Sequence, residues 1–174
     1  MAKNSNLREF QEAILLRLKE VATQGDTVSA SRLGILVAGK RMLVNLNEVR
    51  EVIPVPPMQV VPLTEPWFLG VANIRGNLYN VSDLAQFLHL PPTPRSTNNR
   101  ILLLNSETTT QVALMIGGLV GLRSVDTMQL QASNNEADAL YTKNVYLDAD
   151  NNEWLEMDFE KLLHDKGFIQ PTLG

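Results

Sequence analysis

The amino-acid sequence begins with a helical pattern of apolar residues. Five of them recur at spacings of three and four, which places them on one helical face: Leu7, Phe10, Ile14, Leu18 and Val21. Asn6 is suited to the N-cap position, and Gly25 ends the pattern. We therefore predict an N-terminal helical extension over residues 1–28. Its apolar face is expected to pack on its own domain, and a partner-binding helix is the alternative.

After Gly25 the apolar residues follow the period of two that is typical of strands. Short runs rich in Val, Ile and Leu lie at residues 33–38, 42–46, 49–55, 68–74, 78–81, 101–104, 112–116 and 145–147. Gly, Pro and Asn residues separate these runs. Many short strands at this spacing predict an all-β sandwich or barrel. Two short helices are expected near residues 83–88 and 158–163.

Two parts of the chain resemble each other at an offset of 70 residues. Residues 42–46 align with 112–116, and the match extends to Gln59 and Gln129. Asp83 and Asp158 each precede a short apolar helix, where a carboxylate can cap free N–H groups and meet the helix dipole. A unit of about 60 residues buries little surface alone. The pattern therefore predicts two similar β-units that share an interface.

Composition and charge narrow the classes of function. The 174-residue chain has an ordinary globular composition and a net charge of −4, without the basic stripe of a nucleic-acid binder. The absence of cysteine excludes disulfides, thiolate metal sites and a cysteine nucleophile. The N-terminus lacks a signal-peptide pattern, and the most apolar stretch, residues 112–122, is too short to span a bilayer. We expect a cytoplasmic protein without direct membrane insertion and without a nucleic-acid partner.

One run of residues nearly fits a phosphate-binding loop. Gly34, Gly39 and Lys40 have the required spacing, but Arg41 stands where the loop needs a hydroxyl group for magnesium. The loop should also lead into a helix, whereas residues 42–46 have the pattern of a strand. A buried strand followed by a hairpin turn at Gly39-Lys40 is the better interpretation.

Other candidate chemical sites are equally incomplete. The stretch that begins at Asp148 lacks the glycine and the final glutamate of a calcium loop, which favours a polar hairpin turn. His89 and His164 each follow a predicted short helix and have no second ligand at metal spacing. We therefore predict no catalytic residue, no cofactor and no metal ion.

The segment from Trp67 to Leu84 contains an unusual charge. Arg75 ends an apolar run and precedes Gly76, and a charge in that position needs a partner or solvent. Glu51 is a candidate partner, since it also lies within a strand-like run. The simpler alternative is a hairpin turn at Gly76-Asn77 with Arg75 solvated beside it.

Several short motifs, in the right order, resemble the CheW family of chemotaxis coupling proteins. The family pattern G-V-x-N-L-R-G resembles residues 70–76, and P-V-I-D-L resembles residues 80–84. The pattern V-x-E-I resembles residues 49–52, and L-D-x-x-x-L-L resembles residues 157–163. The resemblance covers about residues 31–165, which is most of the chain.

This resemblance implies a mostly β, CheW-like fold. Two five-stranded SH3-like β-barrels would surround a shared core, with short helices after the barrels. The chain would divide into the extension at 1–28, a CheW-like domain at 29–168 and a tail at 169–174. The subdomains would occupy roughly residues 41–100 and 101–150, and residues 29–40 and 151–168 would complete the barrels.

The resemblance also implies a non-enzymatic adaptor. Such proteins couple the cytoplasmic tip of methyl-accepting chemoreceptors to the regulatory domain of a CheA-type histidine kinase, in membrane-associated receptor arrays. A groove between the barrels takes the receptor tip. The residues carried over as partner-binding are Val49, Glu51, Asn73, Arg75 and Gly76. Arg75 and Glu51 are implied to pair, with Val49 beside them at the binding surface.

The chain departs from the family pattern in places. Asn80 and Ser82 replace a proline and an isoleucine, and Gly117 replaces an aspartate. With the added N-terminal helix, these changes resemble the CheW-like adaptors of type IV pilus systems, which serve twitching motility. A small-molecule-binding regulatory domain with a pocket between the barrels is the alternative function. A severed regulatory domain of a larger kinase is a third interpretation.

Overall fold

The computed structural model describes residues 30–105, 111–132 and 141–173. These ranges contain the following strands: β1 (Ser31–Val37), β2 (Lys40–Asn45), β3 (Val49–Pro54), β4 (Phe68–Ile74), β5 (Asn77–Asp83), β6 (Arg100–Leu104), β7 (Val112–Ile116), β8 (Gly118–Ser124), β9 (Gln129–Gln131), β10 (Thr142–Leu147) and β11 (Glu153–Met157). Short helices are α1 (Leu84–Phe87), α2 (Phe159–Leu163) and α3 (Lys166–Ile169), with 3₁₀ turns at Leu46–Glu48 and Val125–Thr127. The predicted helix at 1–28 lies outside the described residues.

The strands form two sheets that share one plan. The first sheet has the order β8-β1-β2-β11-β10-β9, and the second has the order β3-β6-β7-β5-β4. Each sheet contains one parallel pair, β2 with β11 and β7 with β5, and the other neighbours are antiparallel. The internal duplication predicted from the 70-residue offset is therefore confirmed by the strand order.

The sixth strand of the first sheet has a reduced counterpart in the second. β9 begins at Gln129 and pairs with β10. The aligned residue Gln59 makes a single antiparallel bridge to Val71 of β4, with both backbone N–O distances at 2.8 and 2.9 Å. Gly70 permits this approach, because a Cβ atom there would lie 2.3 Å from the carbonyl oxygen of Gln59. The prediction of five strands in each unit therefore fits the second sheet, while the first has six.

The sheets divide the chain differently from the predicted ranges 41–100 and 101–150. The second sheet is continuous from residue 49 to 116, whereas the first takes residues 31–45 and 118–157. The chain crosses between sheets at the 3₁₀ turn Leu46–Glu48 and at Gly117. An apolar pattern identifies a strand but does not indicate the sheet that it joins.

The apolar core has two parts, and three strands contribute to both: β3, β6 and β7. Leu102 and Leu104 of β6 belong to a core shared by both sheets and the helices, whereas Ile101 and Leu103 belong to a cluster formed within the second sheet. Residues of β7 alternate between the two parts in the same way. This two-sided burial explains why β6 and β7 are apolar at nearly every position.

Aspartates begin the two helices that follow corresponding strands. The Asp83 carboxylate accepts hydrogen bonds from the backbone of Ala85 at 3.2 Å and from the backbone and hydroxyl of Thr93 at 2.9 and 2.6 Å. Asp158 caps α2 through the backbone N–H of Lys161 at 3.0 Å. The predicted capping role is confirmed at both places. Asp83 also fixes the loop that leads to β6.

The run that resembled a phosphate-binding loop forms a hairpin. Gly34 and Gly39 flank the buried end of β1, and the turn is made by Ala38 and Gly39, whose φ values are 50° and 77°. Gly34 lies against Trp154, since a Cβ there would be 3.1 Å from the indole ring. The interpretation as a strand and a turn is confirmed, with the turn one residue earlier than predicted.

The stretch after Asp148 forms the polar turn between β10 and β11. The Asp148 carboxylate accepts hydrogen bonds from the Trp154 indole at 2.9 Å and from the backbone of Asp150 and Asn152, both at 2.9 Å. These donors, the Trp154 indole first, lower the pKa of Asp148 to about 2. The prediction of a hairpin turn is confirmed. His89 and His164 follow α1 and α2 as expected.

We expect Asp83→Ala to lower the free energy of unfolding by about 2–4 kcal/mol, because it removes a buried helix cap and leaves two partly buried donors of Thr93 unpaired. Asp158→Ala removes a more exposed cap and should cost about 1 kcal/mol. Urea denaturation followed by circular dichroism measures both. Equal losses for the two variants would contradict the structural role given to the Thr93 loop.

Candidate partner-binding site

The hairpin between β4 and β5 positions Arg75. Ile74 pairs with Asn77, so Arg75 and Gly76 form a two-residue turn, with φ values of 53° and 83°. Two positive φ values are typical of the type I′ turn, which matches the twist of paired strands. The Asn73 side-chain oxygen accepts a hydrogen bond from the Gly76 N–H at 2.9 Å. The turn thus lies one residue earlier than the predicted Gly76-Asn77.

Arg75 binds Glu51 through two parallel hydrogen bonds. Nη1 donates to Oε2 at 2.8 Å, and Nη2 donates to Oε1. The Arg75 side chain is 49% exposed, whereas that of Glu51 is 14% exposed. The pairing suggested by the sequence is therefore present, and about half of the Arg75 side chain still faces solvent. The planar fork of an arginine suits such two-point contact with a carboxylate.

This ion pair joins opposite edges of the second sheet. Glu51 belongs to β3, the first strand in the sheet order, and Arg75 follows β4, the last. Edge strands can meet only if the sheet curls around the cluster that its five strands enclose, which includes Ile53 and Ile74. The ion pair therefore closes one end of the curled sheet.

A β-bulge separates Val49 from Glu51. The register of β3 against β6 shifts between these residues, so they point to opposite faces although they are two apart. Val49 is fully buried in the core shared by the sheets. The implied position of Val49 at the binding surface is therefore wrong for its side chain, which supports β3 from inside.

An exposed leucine lies next to the predicted residues and was missed by the sequence analysis. Leu78 is opposite Asn73 in the hairpin, and its side chain is 64% exposed. In the sequence, Leu78 stands one residue before Tyr79. Successive side chains of a strand point to opposite faces, so the burial of Tyr79 places Leu78 on the exposed face. We name the surface formed by Glu51, Asn73, Arg75 and Leu78 the hairpin surface.

A groove of about 460 Å³ lies between the two halves of the molecule. Its apolar lining includes Met42, Trp67, Phe87, Leu90 and Met157, and its polar lining includes Lys40, Glu65, His89 and Asp165. Trp67 makes an edge contact with Phe87, with ring centroids 4.9 Å apart, and stacks on Phe168 at 5.6 Å. The groove thus has an aromatic wall and several polar or charged side chains in its lining.

Tyr141 anchors the C-terminal helix to this groove. Its hydroxyl donates a hydrogen bond to the Asp165 carboxylate, which also caps α3 through the Gly167 N–H at 2.7 Å. Burial, followed by the contact with Asp165, raises the pKa of Tyr141 to about 12. The tyrosine therefore stays protonated and continues to donate this bond across the physiological pH range.

Glu48 is a partly buried acid in the 3₁₀ turn where the chain crosses between the sheets, and its surroundings disfavour its negative charge. Burial, the main cause, raises its pKa from 4.5 to about 6, and the negative charges of Asp158, Glu156 and Glu160 add to the increase. Lys143 opposes it. Among the described residues, one Glu48 carboxylate oxygen is buried without a hydrogen-bond partner.

Comparisons with known proteins agree with this architecture. A family model of the CheW-like domain matches residues 32–167 of the chain. Protein PilI of Pseudomonas aeruginosa is 32% identical over 83 residues, which make up 48% of this chain and 47% of PilI. The chain therefore matches about half the length of that curated relative.

A solved structure has the same fold. The scaffolding protein TtCheW of Thermoanaerobacter tengcongensis matches with a TM-score of 0.67 and 15% sequence identity, over 79% of this chain and 94% of TtCheW. Within the three described ranges, no helix combines the length and the apolar character that crossing a membrane requires.

We expect the Arg75–Glu51 pair to contribute about 1 kcal/mol of coupling energy, because one partner is half exposed and the other is mostly shielded. A double-mutant cycle with Arg75→Ala, Glu51→Ala and the double variant in urea denaturation measures it. Strictly additive losses would show that closure of the second sheet does not depend on this contact.

We expect Glu48→Gln to raise the free energy of unfolding by about 1 kcal/mol at pH 7.5. This figure is smaller than the pKa difference alone would give, because part of the Glu48 carboxyl group faces solvent. The folded state binds the proton more tightly than the unfolded state, so the wild type loses stability as the pH rises from 4.5 through 6. The variant should lack this loss, and the two stability curves should converge towards pH 4.5. Denaturation at several pH values measures both curves of stability against pH. Parallel curves would contradict the raised pKa of Glu48 as the cause of the loss.

Proposed function

The chain belongs to the family of CheW-like domains, and on that basis we propose that it is a non-enzymatic adaptor that couples chemoreceptors to a CheA-type histidine kinase. The observation that carries the proposal is the family match over residues 32–167. The proposed activity is the joining of other proteins. The proposed place is the cytoplasm, at membrane-associated receptor arrays.

We assign the hairpin surface to the kinase regulatory domain. Protein interfaces depend on a few anchors, among which arginine is enriched, inside a rim that excludes water. Arg75 offers a half-exposed side chain whose guanidinium Glu51 holds in one orientation, so little side-chain entropy remains to be lost on binding. Leu78 supplies an apolar contact beside it.

We assign the groove between the halves to the receptor tip. A helical hairpin presents apolar side chains at helical spacing, and such side chains fit an apolar groove. The aromatic wall around Trp67 and Phe87 suits these side chains, while Lys40 and Glu65, which also line the groove, can meet polar groups of the receptor.

We propose control of type IV pilus twitching motility as the pathway. The support is the 32% identity to PilI, which extends over about half of either chain. The replacements at Asn80 and Ser82 that distinguish the chain from the general family pattern lie in β5, within this same fold.

A small-molecule-binding regulatory domain is the second candidate. The groove volume of about 460 Å³ falls within the size range of ligand sites, and polar groups such as His89 and Asp165 line it. A thermal-shift screen with metabolites and nucleotides separates the two functions, because an adaptor needs no such ligand. Co-purification with a separate kinase would further distinguish an adaptor from a severed kinase domain.

We expect Arg75→Ala to weaken coupling about tenfold in a kinase assay reconstituted with receptor fragments, because it removes a central charged anchor. Glu51→Ala should have a similar effect, since it releases the guanidinium. The matched control is Arg95→Ala, an exposed arginine on the loop that Asp83 and Thr93 fix at the opposite end of β5. Full coupling by a folded Arg75→Ala variant would refute the role of the hairpin surface.

A further inference from the structure

Residues 165–173, which we name the strap, pass along the groove with a single apolar anchor. Asp165 and Gly167 belong to the lining of the groove. Within residues 166–173, all of which the structure describes, Phe168 is the one buried residue, at 3% exposure. Ile169 and Leu173 are 37% and 53% exposed. The apolar attachment of the strap therefore depends mainly on one aromatic ring.

Phe168 makes the contacts with the aromatic wall that a bound side chain would make. Its ring stacks on Trp67 at an interplanar angle of 19° and a centroid distance of 5.6 Å, and it contacts Phe87 edge-on at 4.9 Å. Phe87 in turn contacts Tyr141, with centroids 5.5 Å apart. Ring pairs at these distances attract each other beyond the effect of their buried area. If Phe168 left, the same rings would offer these contacts to an aromatic side chain of another protein.

Hydrogen bonds to one carboxylate hold the start of the strap. The Tyr141 hydroxyl donates to Asp165, and the same carboxylate caps α3 through the N–H of Gly167 at 2.7 Å. α3 has only four residues, and a helix of this length is not stable without outside contacts. Loss of the bond from Tyr141 would therefore loosen the short helix that carries Phe168.

The end of the strap lies against a strained turn. The N–H of Glu65 donates to the Pro171 oxygen at 2.7 Å, and the N–H of Leu173 donates to the Leu63 oxygen at 2.8 Å. The φ value of Leu63 is 59°, in the left-handed region that is unfavourable for a leucine. Such a conformation persists only where surrounding contacts impose it. Release of the strap would let Leu63 relax, which offsets part of the free energy of the two lost bonds.

The two sheets do not depend on the strap. Among the described residues, its one β-bridge joins Thr172 to Thr64, which lies outside the strands. Strand β7, by contrast, is paired on both sides and buried throughout. Segments with few buried apolar contacts open at low free energy, whereas core strands open only with the whole domain. The strap can therefore leave the groove while both sheets stay intact.

We propose that the strap is releasable and that its release opens a site for an aromatic or leucine side chain where Phe168 now lies. In the closed form, the chain supplies its own occupant to the aromatic wall. The external occupant is the receptor tip, and this part of the proposal rests on the proposed function. Closure of the strap and binding of the tip exclude each other, so the strap sets the affinity of the groove for the receptor.

Native-state hydrogen exchange of the full chain tests the release without any partner. The reporters are the hydrogen-bonded amides of Phe168, Ile169 and Leu173, and the reference is the set of amides in β7. We expect the three reporters to share one protection factor, about a hundredfold lower than that of β7, because a single release exposes them together. Protection equal to that of β7 would overturn the proposal, and so would a gradient from Leu173 to Phe168, which indicates fraying.

A conservative variant tests the hydrogen bond that holds the strap. Tyr141→Phe keeps the aromatic ring and removes the donor to Asp165, so it should speed exchange of the reporters about tenfold and leave β7 unchanged. The matched control is Tyr146→Phe in β10, whose hydroxyl is near the charges of Glu156 and Arg32. This control should not alter the reporters relative to β7. The absence of a response to Tyr141→Phe, or an equal response in β7, would overturn the proposal.

A helical fragment of a receptor tip tests the consequence for binding. Saturating fragment should speed exchange of the strap amides, because the tip takes the place of Phe168. In isothermal titration calorimetry, Phe168→Ala should bind the fragment about tenfold more tightly than the wild type, since the competing side chain is gone. The matched control Ile169→Ala removes an exposed side chain from the same helix and should retain the wild-type affinity.

The outcomes separate the strap from the proposed function. If the fragment binds and increases the protection of the strap amides, the tip binds the closed form, which overturns the proposal and leaves the assignment of the groove to the receptor intact. If the fragment binds neither the wild type nor Phe168→Ala, that assignment fails, and exchange in the free protein still decides whether the strap is releasable.

Discussion

Two-sided burial of β6 and β7 is the constraint on which the rest of the molecule depends. Each strand faces the cluster enclosed by the second sheet on one side and the core shared with the first sheet on the other. Neither half can therefore be removed without exposing a complete apolar strand face, whose burial is worth about 25 cal/mol per Å². The two sheets form one cooperative unit for this reason, although each follows the same plan.

The hairpin surface is a consequence of that arrangement. Because β3 must place Val49 in the shared core and Glu51 at the end of the second sheet, its backbone needs a bulge between them. The bulge turns the Glu51 carboxylate towards Arg75, and the positive φ values of Arg75 and Gly76 bring the guanidinium to meet it. A partner at this surface thus contacts side chains whose orientation is set by the core beneath.

The sequence predicted those features that local patterns determine. Uniformly apolar strands such as β7 and the capping residues Asp83 and Asp158 followed from short-range rules. The contact of Arg75 with Glu51 spans 24 residues, so local patterns offered it only as one candidate, and the family resemblance implied it. β8, β9 and β11 were not among the predicted runs. Glycines interrupt β8, β9 has a single leucine between two glutamines, and polar residues alternate through β11. The burial of Val49 depends on a bulge, which alternation alone cannot indicate.

The interrupted course of the first sheet has a consequence for biosynthesis. β1 and β2 leave the ribosome before any strand of the second sheet, yet β2 pairs with residues 154–156 of β11. The second sheet, continuous from residue 49 to 116, can close while the nascent chain is still growing. Until β11 is synthesised, the hairpin of β1 and β2 keeps apolar residues such as Met42 and Val44 uncovered, and uncovered apolar surface of this kind favours aggregation.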